Sequence, residues 1–340
     1  MDNLRRFFLT VSIIIFIVLF VGGFITALNY DPKEVQREPG DPTPLPAIGE
    51  IYNAEEYKHK DLFNDNILFI ITPDKNSSAV NFIMTKYNPV NQNLNILIIP
   101  DDLKVADKSD SNKVYTLGDY YKNKSGKEVA SYVTSLLEIK VDKYCAFSYK
   151  EFNSFIKEFG TITFDIPYGL KFISTSSENI SYSTGINYKK GEISLTGDSV
   201  INLIKFINDD YGALDGDIVE YYDNLYENTT AKEIHSLMSD DFIYNLINGF
   251  TKKFTTDNQD EINNSFNMLT ETSDNNIDEN VLTGLTFKLG QIKKEKIKFY
   301  QLSGDYQNNN GFYFVYNGDI VKKENNEIKS AEEIISLAFS

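Results

Sequence analysis

NILFII (Asn66 to Ile71), VNFIMTK (Val80 to Lys86) and NLNILII (Asn93 to Ile99) decide the fold of this chain. Each is an apolar run bounded by turn residues and reads as a buried strand, as does TITFDI (Thr161 to Ile166) further on. Between the third and fourth runs lie two helical patterns. In Lys127 to Leu137, the residues Val129, Tyr132, Val133, Leu136 and Leu137 recur at helical spacing and form one apolar face. In Tyr149 to Phe159, Phe152, Phe155, Ile156 and Phe159 do the same, and Gly160 supplies the stop. Helical spacing returns at Asp198 to Ile207 and at His235 to Phe254. Strands interleaved with helices predict an α/β fold whose sheet is largely buried between helices.

Outward from this centre, a polar stretch after Phe254 leads to a tail expected to hold late strands within residues 281–320, with apolar runs at Val281 to Leu289, Ile297 to Leu302 and Gly311 to Tyr316. At the other end stands FFLTVSIIIFIVLFVGGFITAL, Phe7 to Leu28, which has no charged residue. Its 22 residues span about 33 Å as a helix, enough for a hydrocarbon core of ~30 Å. The run is longer than a usual cleavable signal and lacks a clear cleavage pattern, so a retained transmembrane helix is expected. Arg5 and Arg6 precede it and the following residues carry no net positive charge, which places residues 1–6 inside and the remainder outside the cytoplasm. Residues 29–50, dense in proline and charge, form a stalk, and a domain of residues 51–340 follows.

The net charge of −16 argues against nucleic acid as a partner. A single cysteine, Cys145, excludes an intrachain disulfide framework, and its setting in YCAF suits a buried small hydrophobe. His59 and His235 lie far apart with no metal-ligand spacing. No catalytic constellation stands out along the chain.

The order of elements, together with two phrases, resembles the LytR-CpsA-Psr family of bacterial cell-envelope proteins. The resemblance covers about Asp61 to Phe254, its core, with KFYQLSGDY and GFYFVYNG similar to the family's tail. Leu136 to Pro167 follows one family phrase closely, and Leu195, Thr196, Gly197 and Val200 to Lys205 match a second, "L-n-G-x-x-A-L-x-Y-v-R". The resemblance implies a mixed sheet between helices and an apolar tunnel for the tail of a polyprenyl-pyrophosphate. It further implies transfer of a glycopolymer from that lipid to peptidoglycan, with arginines and a divalent cation such as Mg²⁺ holding the pyrophosphate.

The charged positions depart from that pattern. Where the family has "S-I-P-R-D", this chain has Ile98, Ile99, Pro100, Asp101 and Asp102, so an arginine is replaced by Asp101. Where it has "R-S-D-T", this chain has Ser78, Ala79, Val80 and Asn81, without the arginine or the metal-binding aspartate. Lys205 keeps one cation of "Y-v-R-x-R" and Ile207 removes the other; Asp217 and Glu220 stand where two more arginines are expected. Asp102 is the remaining metal candidate and Lys205 the remaining phosphate ligand. The acids Asp101, Asp102, Asp217 and Glu220 are expected to form a solvated rim, with a cation site built from the same carboxylates as the second reading. Three functions follow: a non-catalytic binding or regulatory member of the family in the cell membrane, holding a polyprenyl lipid or cell-wall glycopolymer; an active transferase with a divergent site; or a structural, partner-binding ectodomain. An apolar cavity, and the charge at its mouth, separates them.

Overall fold

Both faces of the central strands are buried, which is why their sequences run apolar without alternation. A computed structural model of the chain describes residues 65–339 apart from 75, 89–90, 108–109, 172–185, 209–215, 227–228 and 309–310. These belong to the second of two compact units, Asn53–Ser340. The expected membrane helix at 7–28, its flank 1–6 and the stalk at 29–50 lie outside the described residues. Among those described, no helix is long and apolar enough to cross a membrane.

The chain opens with β1 (Ile67–Thr72), β2 (Asn81–Asn88) and β3 (Asn93–Ile99), then the antiparallel pair β4 (Lys104–Asp107) and β5 (Asp110–Thr116). Helices α1 (Leu117–Asn123) and α2 (Gly126–Leu137) lead into β6 (Lys143–Ser148), and α3 (Tyr149–Glu158) leads into β7 (Ile162–Ile166). The short β8 (Leu170–Lys171) and β9 (Asn187–Tyr188) precede β10 (Gly191–Leu195). A helical stretch follows: α4 (Gly197–Asn208), α5 (Gly216–Leu225), α6 (Ala231–Thr251) and α7 (Gln259–Asn267). After β11 (Asp274–Asn275) and α8 (Glu279–Leu289), the chain ends with β12 (Ile297–Gln307), β13 (Tyr313–Lys322), β14 (Glu327–Ser330) and α9 (Ala331–Ala338).

Eight strands form one mixed sheet in the order β11-β6-β1-β2-β3-β12-β13-β14. β6 runs parallel to β1 and β12 parallel to β3, while β1, β2 and β3 pair antiparallel. Residues two apart share a face. Ile67, Ile71, Ile83 and Ile96 therefore pack with α3 to α8, and Leu68, Ile70, Met84 and Leu97 pack with α1, α2 and α9.

Two sequence expectations need correction. Residues 281–289 form α8 rather than a tail strand, because Leu282, Leu285 and Leu289 fall on one helical face and all three are buried. β6 was not expected as a strand, since only Cys145, Ala146 and Phe147 within it are fully covered. Cys145 is nonetheless the buried hydrophobe its setting suggests: its Sγ lies 3.1 Å from Thr272 Oγ1, and burial pushes the thiol up to about 12. His235 sits on α6 with Nδ1 3.2 Å from the Ile207 carbonyl.

Candidate functional site

Between the sheet and α3, α6, α7 and α8 lies an apolar cavity of about 110 Å³. Phe69, Ile71 and Ile83 line it from the sheet, and Phe152, Phe155 and Phe250 from the helices; Thr85 is the one polar lining residue among those described. Phe155 is the hub of the aromatic packing. Its ring lies 5.4 to 6.2 Å from those of Phe147, Phe152, Phe159, Phe250 and Phe266. Such offset and edge contacts favour fixed ring positions over a loose filling.

The same strands carry a second pocket at their ends. Two residues beyond Ile71 is Pro73, and two beyond Phe147 is Tyr149; both line a cavity of about 760 Å³ together with Lys150, Asn153, Asp198, Asn202 and Lys205. Local sequence explains the placement of each cation. Ser148 caps α3 by accepting from the Glu151 backbone N–H at 3.3 Å, while Glu151 Oε2 accepts from the Ser148 N–H at 2.7 Å, so Lys150 is set in the first exposed turn. On α4, Val200, Leu203, Ile204 and Ile207 face the core, which turns Lys205 to the pocket. There its Nζ stands 5.7 Å from the centre of the Tyr149 ring.

The one carboxylate of this pocket is already engaged. Asp198 Oδ1 accepts from Asn153 Nδ2 at 2.6 Å and pairs with Lys157 Nζ at 3.0 Å, and its carboxyl is held below the usual range mainly by the Asn153 hydrogen bond. Neither Lys150 nor Lys205 has an ion pair among the described residues. The pocket therefore presents two ammonium groups and several amides, a set suited to an anionic head group.

Gly197 joins the two helices that carry these groups. A Cβ there would strike the Asn153 side-chain oxygen and come within 2.9 Å of the Asn153 carbonyl. Gly197→Ala is expected to destabilise the protein by about 1–3 kcal/mol despite alanine's higher helix propensity, because the obstruction includes backbone. Chemical denaturation of the two proteins measures the difference.

Asp101, Asp102, Asp217 and Glu220 do not line this pocket. Asp101 and Asp102 follow β3 and turn inward beneath α6. Asp102 is 6 % exposed; Oδ2 accepts from Ser236 Oγ at 2.7 Å, and Oδ1 is buried with no donor among the described residues. Burial raises its carboxyl to about 6 against the lowering effect of Ser236. Asp101 is raised well above the ordinary range by burial, then by Asp102 and Asp240. Asp240, buried on α6, accepts from Gln301 Nε2 at 2.8 Å and is raised by burial, then by Asp102 and Asp241. Asp241 next to it is paired with Lys323 at 3.0 Å.

In place of a solvated rim, Asp102 and Asp240 are buried and Asp101 beside them is half-buried, because α6 and β12 cover the turn after β3. Asp217 and Glu220 are exposed on α5 and line neither cavity. Of the sequence candidates, only Lys205 reaches the pocket. Lys150 was missed, although the S-x-x-E cap at Ser148 to Glu151 marks it as an exposed first-turn cation.

A Mg²⁺ ion does not fit at Asp102. One oxygen is taken by Ser236, and among the described residues no three His, Cys, Asp or Glu side chains gather closely enough to hold a metal.

The family model described as the LytR_cpsA_psr family matches residues 72–219, which contain both lysines. Over that stretch the chain is similar to the LytR-CpsA-Psr family. It is 28% identical over 131 residues to the polyisoprenyl-teichoic acid–peptidoglycan teichoic acid transferase TagV of Bacillus subtilis, a match covering 38% of this chain and 32% of that one. The chain thus spans about a third of that relative's length. The crystal structure of B. subtilis TagV superimposes with a TM-score of 0.57 at 19% identity, covering 80% of this chain and 94% of the other. A protein from Streptococcus agalactiae gives a TM-score of 0.53 at 16% identity, covering 75% and 82%. These structures share the mixed α/β fold.

Proposed function

We propose that this chain is a binding member of the LytR-CpsA-Psr family: it holds a polyprenyl-phosphate lipid at the cell envelope and does not transfer a glycopolymer. The Phe155 cavity takes no more than the first part of the apolar tail, and Lys150 and Lys205 hold the phosphate. The uncharged segment Phe7 to Leu28 anchors the domain in the cell membrane, where such lipids lie. The observation that carries this is the succession, along β1 and β6, of an all but apolar cavity and a pocket with two lysines that have no ion pair among the described residues.

The loss of transfer rests on the site's charges. Transfer would need electrostatic support for charge building on the leaving phosphate, and such support is worth several kcal/mol in a preorganised site. Here Asp101 replaces an arginine, Val80 replaces a carboxylate, and Asp102 is buried against Ser236. Head-group binding through the two lysines is accordingly independent of divalent metal.

The test uses the full chain in detergent with a polyprenyl phosphate, with and without EDTA, and with a polyprenyl-pyrophosphate glycopolymer, Mg²⁺ and peptidoglycan. The expected result is binding unchanged by EDTA and no polymer transfer. Steady transfer that disappears in Asp102→Ala would refute the non-catalytic role in favour of an active transferase. Absence of lipid binding would leave a structural ectodomain.

A further inference from the structure

The end of the sheet remote from Lys150 and Lys205 carries cations that lipid binding does not use. Pairing sets Ile67, Thr85, Ile96 and Phe299 in one row across β1, β2, β3 and β12. Asp65 comes just before this row, so the chain following the expected membrane helix reaches the sheet at this end. The approach to β12 arrives there too, and it reads KLGQIKKEKIK, Lys288 to Lys298. It holds five lysines and one acid, Glu295, in a chain whose net charge is −16.

The fold holds this segment in place. The Gln291 N–H donates to the Lys288 carbonyl at 3.1 Å, and the Lys296 N–H to the Lys293 carbonyl at 2.8 Å, which makes two successive turns between α8 and β12. Lys296 Nζ donates to the Asn91 carbonyl at 3.0 Å, between β2 and β3. Lys293 and Lys294 are exposed, and Lys288, Lys296 and Lys298 half-buried. The neighbouring acids are Glu295, Glu324, which accepts from the Phe299 N–H, and Asp257 and Asp260, which flank the Gln259 that lies against Gly290. None of them forms an ion pair with the five lysines among the described residues. At the end of α8, Phe287 is 47 % exposed, with Lys288 Nζ 5.8 Å from its ring centre.

Lysines without a counter-ion keep their attraction for a negative surface, and an exposed aromatic ring among them suits the boundary between lipid head groups and acyl chains. A soluble polyanion would meet the lysines and leave Phe287 in water. Residues 29–64 reach at most about 130 Å when extended, so an anchored chain holds this surface close to the bilayer and a modest attraction suffices. We propose that Phe287, Lys293 and Lys294, backed by Lys288, Lys296 and Lys298, dock the domain on a bilayer surface that contains anionic phospholipid. This rests on the membrane anchor proposed above and not on the lipid pocket. Leu285 and Leu289 of the same helix line the Phe155 cavity, so docking brings that side of the cavity toward the bilayer.

The full chain is placed in nanodiscs of phosphatidylcholine alone or mixed equally with phosphatidylglycerol. Gln291→Cys carries an environment-sensitive fluorophore, and Asn76→Cys, in the loop at the opposite end of the sheet, is the control; Cys145 is buried and does not compete for label. In the anionic discs alone, the label at 291 is expected to shift to the blue and to be quenched by brominated lipid, and high salt should reverse both. The label at 76 should stay in water throughout. Lys293→Ala with Lys294→Ala is expected to lower the ratio of docked to free domain by roughly thirtyfold, with Tm and polyprenyl-phosphate binding unchanged. A chain that enters the discs with the label at 291 equally wet in both, or docking that ignores salt or the two alanines, would overturn the assignment. A shift caused by soluble poly(glycerol phosphate) but not by anionic discs would make the partner a polymer instead. Failure to enter the discs at all would refute the anchor, and docking with it.

Discussion

Replacing Lys150 and Lys205 together by alanine is expected to weaken polyprenyl-phosphate binding by roughly a hundredfold. A charge-assisted contact to phosphate is worth about 1.5–3 kcal/mol when sheltered. Lys150 is exposed and Lys205 half-buried, so screening leaves about tenfold for each. Neither side chain belongs to the core, and the melting temperature should hardly move. Lys205→Arg should retain most of the affinity, because the charge and its contact with the Tyr149 ring persist. Titration of each variant against lipid in detergent micelles, at low and high salt, measures both effects. Affinity that is unchanged in the double variant, or insensitive to salt, would remove the phosphate from this pocket and leave only an apolar ligand.

The second large effect concerns the buried acids. Asp102, Asp101 and Asp240 all have carboxyls raised in the folded protein, chiefly by burial. A group raised on folding binds protons more tightly in the native state. Its stabilising contribution is complete below the unfolded value near 4 and is lost as pH rises through the folded value. For Asp102 that window runs from about 4 to just above the folded value of about 6. This shift is worth on the order of 3 kcal/mol for a side chain 6 % exposed. The protein should therefore melt higher at pH 5 than at pH 8. Asp102→Asn should raise stability at pH 8 by about 2–3 kcal/mol and flatten the pH profile, since a neutral amide can keep the Ser236 contact without the charge. Denaturant titrations of both proteins at pH 5 and pH 8 test this. Equal gains at the two pH values would show that the charge is not what destabilises the cluster.

Much of the fold was legible because it rests on local period. The strands at Asn93–Ile99 and Asn81–Asn88, and the helix at Tyr149–Glu158 with its stop at Gly160, follow from runs of apolar residues and their spacing. β6 was hidden because a six-residue segment gains strand character only by pairing with β1, Ile67 to Lys143 through Thr72 to Ser148. α8 was hidden because Leu282, Leu285 and Leu289 suit a helix while the run around them is apolar enough for a strand.

The site divides along the same line. The departures from the family pattern at Val80, Asp101 and Asp102 stand in the chain itself, as does the surviving cation Lys205, and these depend on nothing but residue identity. What surrounds each of them does not. Asp101 and Asp102 would be a wet rim in an open turn; instead Asp102 is buried and Asp101 half-buried, because Ser236 and Asp240 on α6, and Gln301 on β12, are brought in from more than a hundred residues away. Lys150 joins Lys205 only because Gly197 lets α3 and α4 touch. Sequence by itself settled which charges this protein owns and the strands and helices that carry them. Packing between distant segments decided which of those charges face solvent, and hence that the pocket at the strand ends presents Lys150 and Lys205 while Asp102 is covered, because the dielectric and the partners of a side chain are properties of what folds against it.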